Sequence, residues 1–250
     1  MRTGDYKQTH SELVALIDSP PVWLWSAVLL LALIAAPFLL NSYALSFLMI
    51  ILITVTGALG LNILTGYTGL ISLGHVGFLV TGAYAYAVLV SKYQMPPPVG
   101  FLGAGVVPAL ASLIVGAPSL RLKGLYLAIT TLAFSFIINT VILEMRWLTN
   151  GAGGILSIPR LPKVGGIDFG TPLGGYFVVL SLVLFSMLIY ALVRRSPEGL
   201  ALRAMHDSED ATRVVGVNAT MLKAMILLLA AFFAGMMGAF NAHYINFLEP

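Results

Sequence analysis

Leu45–Leu64 reads LSFLMIILITVTGALGLNIL, twenty residues without a charged side chain. As an α-helix it would extend about 30 Å, the thickness of a bilayer's hydrocarbon core. It lies inside a longer stretch, Ser19–Ser91, that contains no Asp, Glu, Lys or Arg. The same holds for Tyr93–Leu120, Leu125–Leu143, Phe169–Val193 and Ala224–Leu248. Of the 250 residues, 59% are hydrophobic and 9% charged, and mean hydropathy is +0.96. Soluble domains average roughly 45–50% apolar and about 25% charged residues. A soluble domain of this size could not hide so much apolar surface. A soluble enzyme, a nucleic-acid-binding domain and a disordered tail are excluded, which leaves an integral membrane protein.

The apolar runs lack the short alternating segments of a membrane β-barrel. A helix satisfies its own backbone polar groups in lipid, so helices are the expected spanning element. The fold class is therefore an all-α polytopic bundle of about seven spans: Trp23–Leu40, Leu45–Leu64, Gly69–Val90, Val99–Pro118, Leu125–Leu143, Gly174–Val193 and Met225–Tyr244. Pro37, Pro108 and several glycines fall inside spans, where neighbouring helices tolerate them.

Lys and Arg placement sets the orientation. With residues 1–22 cytoplasmic, the inner side holds Arg2, Lys7, Arg121, Lys123, Arg194, Arg195, Arg203, Arg213 and Lys223. The outer side holds only Lys92, Arg146, Arg160 and Lys163, so a cytoplasmic N-terminus is favoured. Residues 1–22 are polar and mixed in charge and do not resemble a cleaved signal peptide. The absence of cysteine excludes disulfides and thiolate metal sites.

Two loops stand out. The outer one, 144–173, is rich in glycine and reads as a folded connection or as a surface for an external partner. The inner one, Arg194–Lys223, carries nine of the chain's 23 charged residues. Pro197 at a helix start, apolar positions at Leu200, Leu202, Met205 and Ala211–Val215, and Gly216 as a stop predict one or two short amphipathic helices. The positive-inside rule explains Arg194 and Arg195, but not the added acids and the apolar periodicity. A short amphipathic helix outside the membrane is a natural docking element for a cytoplasmic partner.

Gly57–Tyr86, GALGLNILTGYTGLISLGHVGFLVTGAYAY, has seven glycines and carries Asn62, Thr65, Thr68, Ser72 and His75 deep in an uncharged stretch. Close helix packing with interhelical hydrogen bonds is one reading. The other is a discontinuous helix that unwinds at Thr65–Gly69 and opens backbone groups to a substrate path. Candidate path residues are Asn62, Thr65, Tyr67, Thr68, Ser72 and His75. In the last span Ala231, Gly235 and Ala239, with Ala234 and Gly238, form a small-residue face for a neighbouring span, a related subunit or a second copy.

No Gly-Lys dipeptide occurs, so no phosphate-binding P-loop is possible. The sequence contains no HExxH, CxxC or GxSxG, and no span contains Asp or Glu. The four histidines, His10, His75, His206 and His243, fall at unrelated depths. Neither a catalytic nor a metal site is expected, nor any cofactor. The missing intramembrane carboxylates count against an ion-coupled carrier.

LTGYTGLISLGHVGFLVTGAY (Leu64–Tyr84) closely resembles the signature of the permease subunits of branched-chain amino-acid ABC importers. RLKGLYLAITTLAFSFII (Arg121–Ile138), LTNGAGGILSIP (Leu148–Pro159) and Ser196–Phe240 resemble three further stretches of that family in the same order. The Arg-Leu-Lys-Gly-Leu-Tyr and Arg-Ala-Met-His-Asp strings look more like the LivM-type subunit than its shorter LivH-type sibling. The resemblance implies a multi-pass protein of a bacterial-type inner membrane, embedded in lipid. It further implies a second permease subunit, two cytoplasmic ATPase subunits and an extracytoplasmic substrate-binding protein as partners, with ATP hydrolysis on the separate subunits. Nucleic acid has no place in it. Asp210-Ala211-Thr212-x-x-x-Gly216 looks like a degenerate EAAxxxG loop, which in such permeases forms the helix seated on the ATPase. Glu209, Asp210, Ala211, Arg213 and Gly216 are the implied coupling residues. Family members usually continue beyond Glu249-Pro250, so residues 23–250 read as a permease domain that lacks a C-terminal part.

Three rivals remain. Urea and short-amide importers share the pattern. A channel or carrier working without ATPases would belong to a different class, and an inert membrane scaffold to a third.

Overall fold

The computed structural model describes residues 20–119, 124–156, 158–159, 163–164, 167–168 and 171–248. Residues 1–19, with Arg2 and Lys7, lie outside the described residues, as do Arg121, Lys123, Arg160 and Glu249-Pro250. Among the described residues nine of the ten α-helices carry the architecture: α1 (Pro20–Leu39), α2 (Ser42–Thr68), α3 (His75–Ala87), α4 (Pro97–Ser119), α5 (Leu125–Glu144), α6 (Pro172–Arg195), α7 (Pro197–Asp207), α8 (Glu209–Val214) and α9 (Ala219–Ile245). The chain is an all-α polytopic bundle. Among the described residues five helices are long and apolar enough to cross a bilayer: α2, α4 over Pro97–Ile114, α5, α6 and α9. The other two apolar stretches form α1, with its apolar run over Trp23–Leu39, and the shorter α3. A π-helical turn, Val88–Lys92, extends α3.

Local chemistry sets the ends. Asn41 caps α2 by accepting from the Ala44 N–H at 3.0 Å. Gly69, at φ 67°, ends α2 in the left-handed conformation and donates to the Thr65 carbonyl. Thr171 and Asn218 cap α6 and α9 in the same side-chain manner as Asn41. Threonines within the spans satisfy their hydroxyls by donating one turn back, as Thr54 does to Ile50 and Thr140 to Phe136. A hydroxyl in lipid therefore need not find a distant partner.

α9 forms the middle of the bundle and packs on α2, α3 and α4, while α6 lies against α2 and α5 against α3. Backbones touch here because the side chains are small. A methyl added to Gly235 would overlap the Ala104 carbonyl and the Pro108 ring, and one on Gly82 would overlap Gly235. One on Gly238 would overlap the Leu79 carbonyl. The small-residue face of α9 thus serves neighbouring helices of the same chain. Phe101 stacks between Tyr86 (4.6 Å) and Phe240 (4.2 Å), locking α3, α4 and α9 together. α1 is held from the side, through the Tyr176 hydroxyl donating to the Leu33 carbonyl at 2.7 Å.

The bundle has two ends. One collects the end of α2 at Gly69, α7 and α8. The other collects the loop after α3, residues 145–156 and the strand Phe247–Leu248, which pairs antiparallel with Ile155–Leu156. A second two-residue ladder joins Lys163–Val164 to Ile167–Asp168.

Candidate functional site

α7 begins at Ser196, whose hydroxyl accepts from the Gly199 N–H at 3.0 Å, with Pro197 in the first turn. Its apolar face is Gly199, Leu202 and Met205. Leu202 and Met205 are buried in the cluster that holds Tyr67 and Leu70 of the α2 end and Leu222 of α9. Ser208 stops α7 and caps α8 through the Ala211 N–H at 3.2 Å. Gly216, at φ 89°, turns the chain towards the Asn218 cap of α9.

The five implied coupling residues all fall on this α8 hairpin. Asp210, Ala211, Arg213 and Gly216 face outward. Beside them Val214 and Val215 are 88% and 83% exposed, a pair of bare aliphatic side chains on a charged surface. Glu209 turns inward: one carboxylate oxygen meets Arg213 at 2.7 Å and the other the buried Lys223 ammonium of α9 at 2.8 Å. Glu209→Ala strands the Lys223 charge and is expected to destabilise the chain by about 3–5 kcal/mol, with Glu209→Ala/Lys223→Met recovering most of it. Denaturation of the detergent-solubilised protein measures both.

The six candidate path residues split into two groups. Tyr67 lies at the α2 end, edge-on to Tyr190 at 5.8 Å, with the Arg203 guanidinium 5.2 Å from its ring centre. Asn62 accepts from the Tyr190 hydroxyl at 3.1 Å. With Gly66, Arg194, His206 and Asp207, Tyr67 and Tyr190 line a polar cavity of about 480 Å³. The His206 ring stands against Gly69, where an added Cβ would lie 3.2 Å from Nδ1. α7 thus grips the point where α2 ends. Thr65 and Thr68 only close local bonds, to the Leu61 and Leu64 carbonyls.

Ser72 and His75 sit deeper. The discontinuous-helix reading put the break at Thr65–Gly69; Thr65–Thr68 stays helical, and the chain leaves the helix only at Gly69. The break falls at Gly69–Gly74, where Gly69 leaves the helical region and α3 has not begun. His75 Nε2 is 3.3 Å from the Gly57 carbonyl, eleven residues before the end of α2 and about 16 Å back along it. The 69–74 segment therefore runs back alongside α2, and α3 starts inside the bundle. The Leu73 N–H donates to Thr131 Oγ1 at 3.0 Å. Ser72 Oγ and His75 Nδ1 are buried with no hydrogen-bond partner among the described residues.

The sequence pattern missed Tyr190, Arg203 and His206, whose nearness to Tyr67 arises only from the folding of α7 onto α2. It also missed the opposite end, although Lys92 was visible as the single charge between two long uncharged runs.

A family model described as the permease component of the branched-chain amino acid transport system matches residues 43–250. The chain belongs to that family. The high-affinity branched-chain amino acid transport system permease LivM of Salmonella typhimurium is 32% identical over 91% of this chain, and its Escherichia coli counterpart is 31% identical over the same share. The chain spans 59% of the length of each of these relatives. No solved structure matches it significantly. Family membership and five membrane-length apolar helices make it a multi-pass inner-membrane protein of the amino-acid transport permease kind.

Proposed function

We propose that the chain is the permease part of an ATP-driven ABC importer that forms a membrane path for branched-chain amino acids. Hydrolysis occurs on separate ATPase subunits, and a binding protein delivers substrate at the far side. The observation that carries this reading is the α7–α8 elbow. It offers Asp210, Ala211, Arg213, Val214 and Val215 outward and is tied inward at three points. Glu209 meets Lys223 on α9, Arg203 lies over Tyr67, and His206 packs on Gly69.

A push on α8 would reach α9 through the ion pair, and a push on α7 would reach the 69–74 break, where α3 can shift against α2. Coupling requires an element with two arrangements that both sites bias, and the 69–74 break is the element proposed for that part. The basic residues around the elbow support an orientation with the elbow in the cytosol.

The test is uptake by the full-length protein, co-purified with its ATPases and reconstituted in vesicles with the binding protein. Leucine uptake should require ATP and should be competed by isoleucine and valine. Uptake without ATPase subunits would favour a channel or carrier. Competition by urea or acetamide instead would move the substrate to the amide relatives.

A further inference from the structure

At the end opposite the elbow, two cavities share Leu148 in their walls. The first, about 610 Å³, is framed by Ser91, Lys92, Asn150, Gly153 and Gly154 and contains no carboxylate in its lining. The second, about 310 Å³, is almost wholly apolar, with Leu89, Val107, Ile138, Val141 and Ile142 around it. Leu148 belongs to both walls.

The polar cavity is built from distant segments. Lys92 ends the π-helical turn, and its ammonium donates to the Trp147 carbonyl and stands 5.4 Å from the Trp147 ring centre. Ser91 Oγ is buried with no hydrogen-bond partner among the described residues. Asn150, at φ 62°, closes the helical turn Arg146–Thr149, and Gly154, at φ 63°, turns the chain into the short strand. Thr149 anchors this turn to α5 by donating to the Ile142 carbonyl at 2.6 Å.

A cation, a hydroxyl and an amide on one side, with an aliphatic chamber on the other, match an amphipathic zwitterion. Lys92 retains donor hydrogens for a carboxylate. The Ser91 hydroxyl and the Asn150 side chain can accept from an ammonium. The adjoining chamber has the size and apolar character of a small-ligand pocket and would hold one branched aliphatic side chain. Urea and acetamide have nothing to place there.

We infer that this two-part cavity is a receiving site for the free amino acid at the outer mouth of the bundle, its carboxylate on Lys92 and its aliphatic side chain beyond Leu148. The inference deepens the importer reading and rests on it.

The test uses the complete permease–ATPase complex in nanodiscs without binding protein, with radiolabelled L-leucine as probe. Leucine should bind saturably. Lys92→Gln should weaken it at least about tenfold, the loss of a charge-assisted hydrogen bond. Leucinamide, which lacks the carboxylate, should compete about tenfold less well than leucine in the wild type. That difference should shrink in Lys92→Gln, which a purely structural lysine would not produce. Ile138→Phe should weaken leucine more than alanine. Import of leucine by the same complex once binding protein is added, together with no saturable binding or equal affinity in Lys92→Gln, overturns the site and leaves the importer reading intact. Leucine affinity unchanged in Ile138→Phe overturns the side-chain assignment and gives the chamber to lipid. Absence of leucine import by the wild-type complex overturns the importer reading and the site together.

Discussion

Gly216→Trp is expected to cut substrate uptake at least about tenfold while the protein stays in the membrane and ATP hydrolysis continues, the equivalent of about 1.4 kcal/mol of lost coupling. Gly216 sits at φ 89° with no atom within 4 Å of where a Cβ would be. A Cβ there therefore meets no internal clash. A tryptophan strains the backbone by about 1–3 kcal/mol and sets a large ring beside Val214 and Val215, on the surface proposed to meet the ATPase. Gly216→Ala carries the strain without the bulk. Measuring uptake, ATPase rate and membrane content for both variants separates docking from folding. Wild-type uptake in Gly216→Trp would remove the elbow from the coupling role.

The second large effect lies in the middle of the bundle. Gly235→Leu should prevent assembly of the native fold, because its side chain must occupy space held by the Ala104 carbonyl and the Pro108 ring. Overpacking against movable side chains costs about 1–3 kcal/mol, and rigid backbone neighbours raise the cost above that range. The solubilised variant should run as aggregate in size exclusion and be degraded in the membrane. Leu110→Phe, on the exposed face of the same α4 that Gly235 meets, should leave a monodisperse protein. A stable Gly235→Leu would mean that α9 does not sit between α3 and α4.

Much of this architecture was legible in the charge map, because a bilayer forbids charge over helix-length runs. Each of the apolar stretches contains a helix, the third only from His75, and Pro197 as a start and Gly216 as a stop bracket α7 and α8, although Leu200, Val214 and Val215 of the expected apolar positions are exposed. The break was legible as a glycine-rich region, but it begins at Gly69, the last residue of the expected Thr65–Gly69 stretch, and runs on to Gly74. Glycine density marks where a chain can bend, whereas Thr65 and Thr68 satisfy their hydroxyls inside a turn that is still helical. The inward turn of Glu209 was not legible, since Lys223 lies fourteen residues away on another helix. Nor was the outer cavity, whose Ser91–Lys92 and Asn150–Gly154 walls are joined only by tertiary packing.

The reading as a whole depends on the elbow facing the cytosol and touching another polypeptide there. The 250 residues contain no cysteine, so Asp210→Cys supplies one reactive thiol among them. Labelling with a membrane-impermeant maleimide, in right-side-out and inside-out vesicles with and without the ATPase subunits, is the direct measurement. Labelling only in inside-out vesicles, and protection by bound ATPase, is the expected result. Labelling of right-side-out vesicles, or no protection by the ATPase, would contradict it.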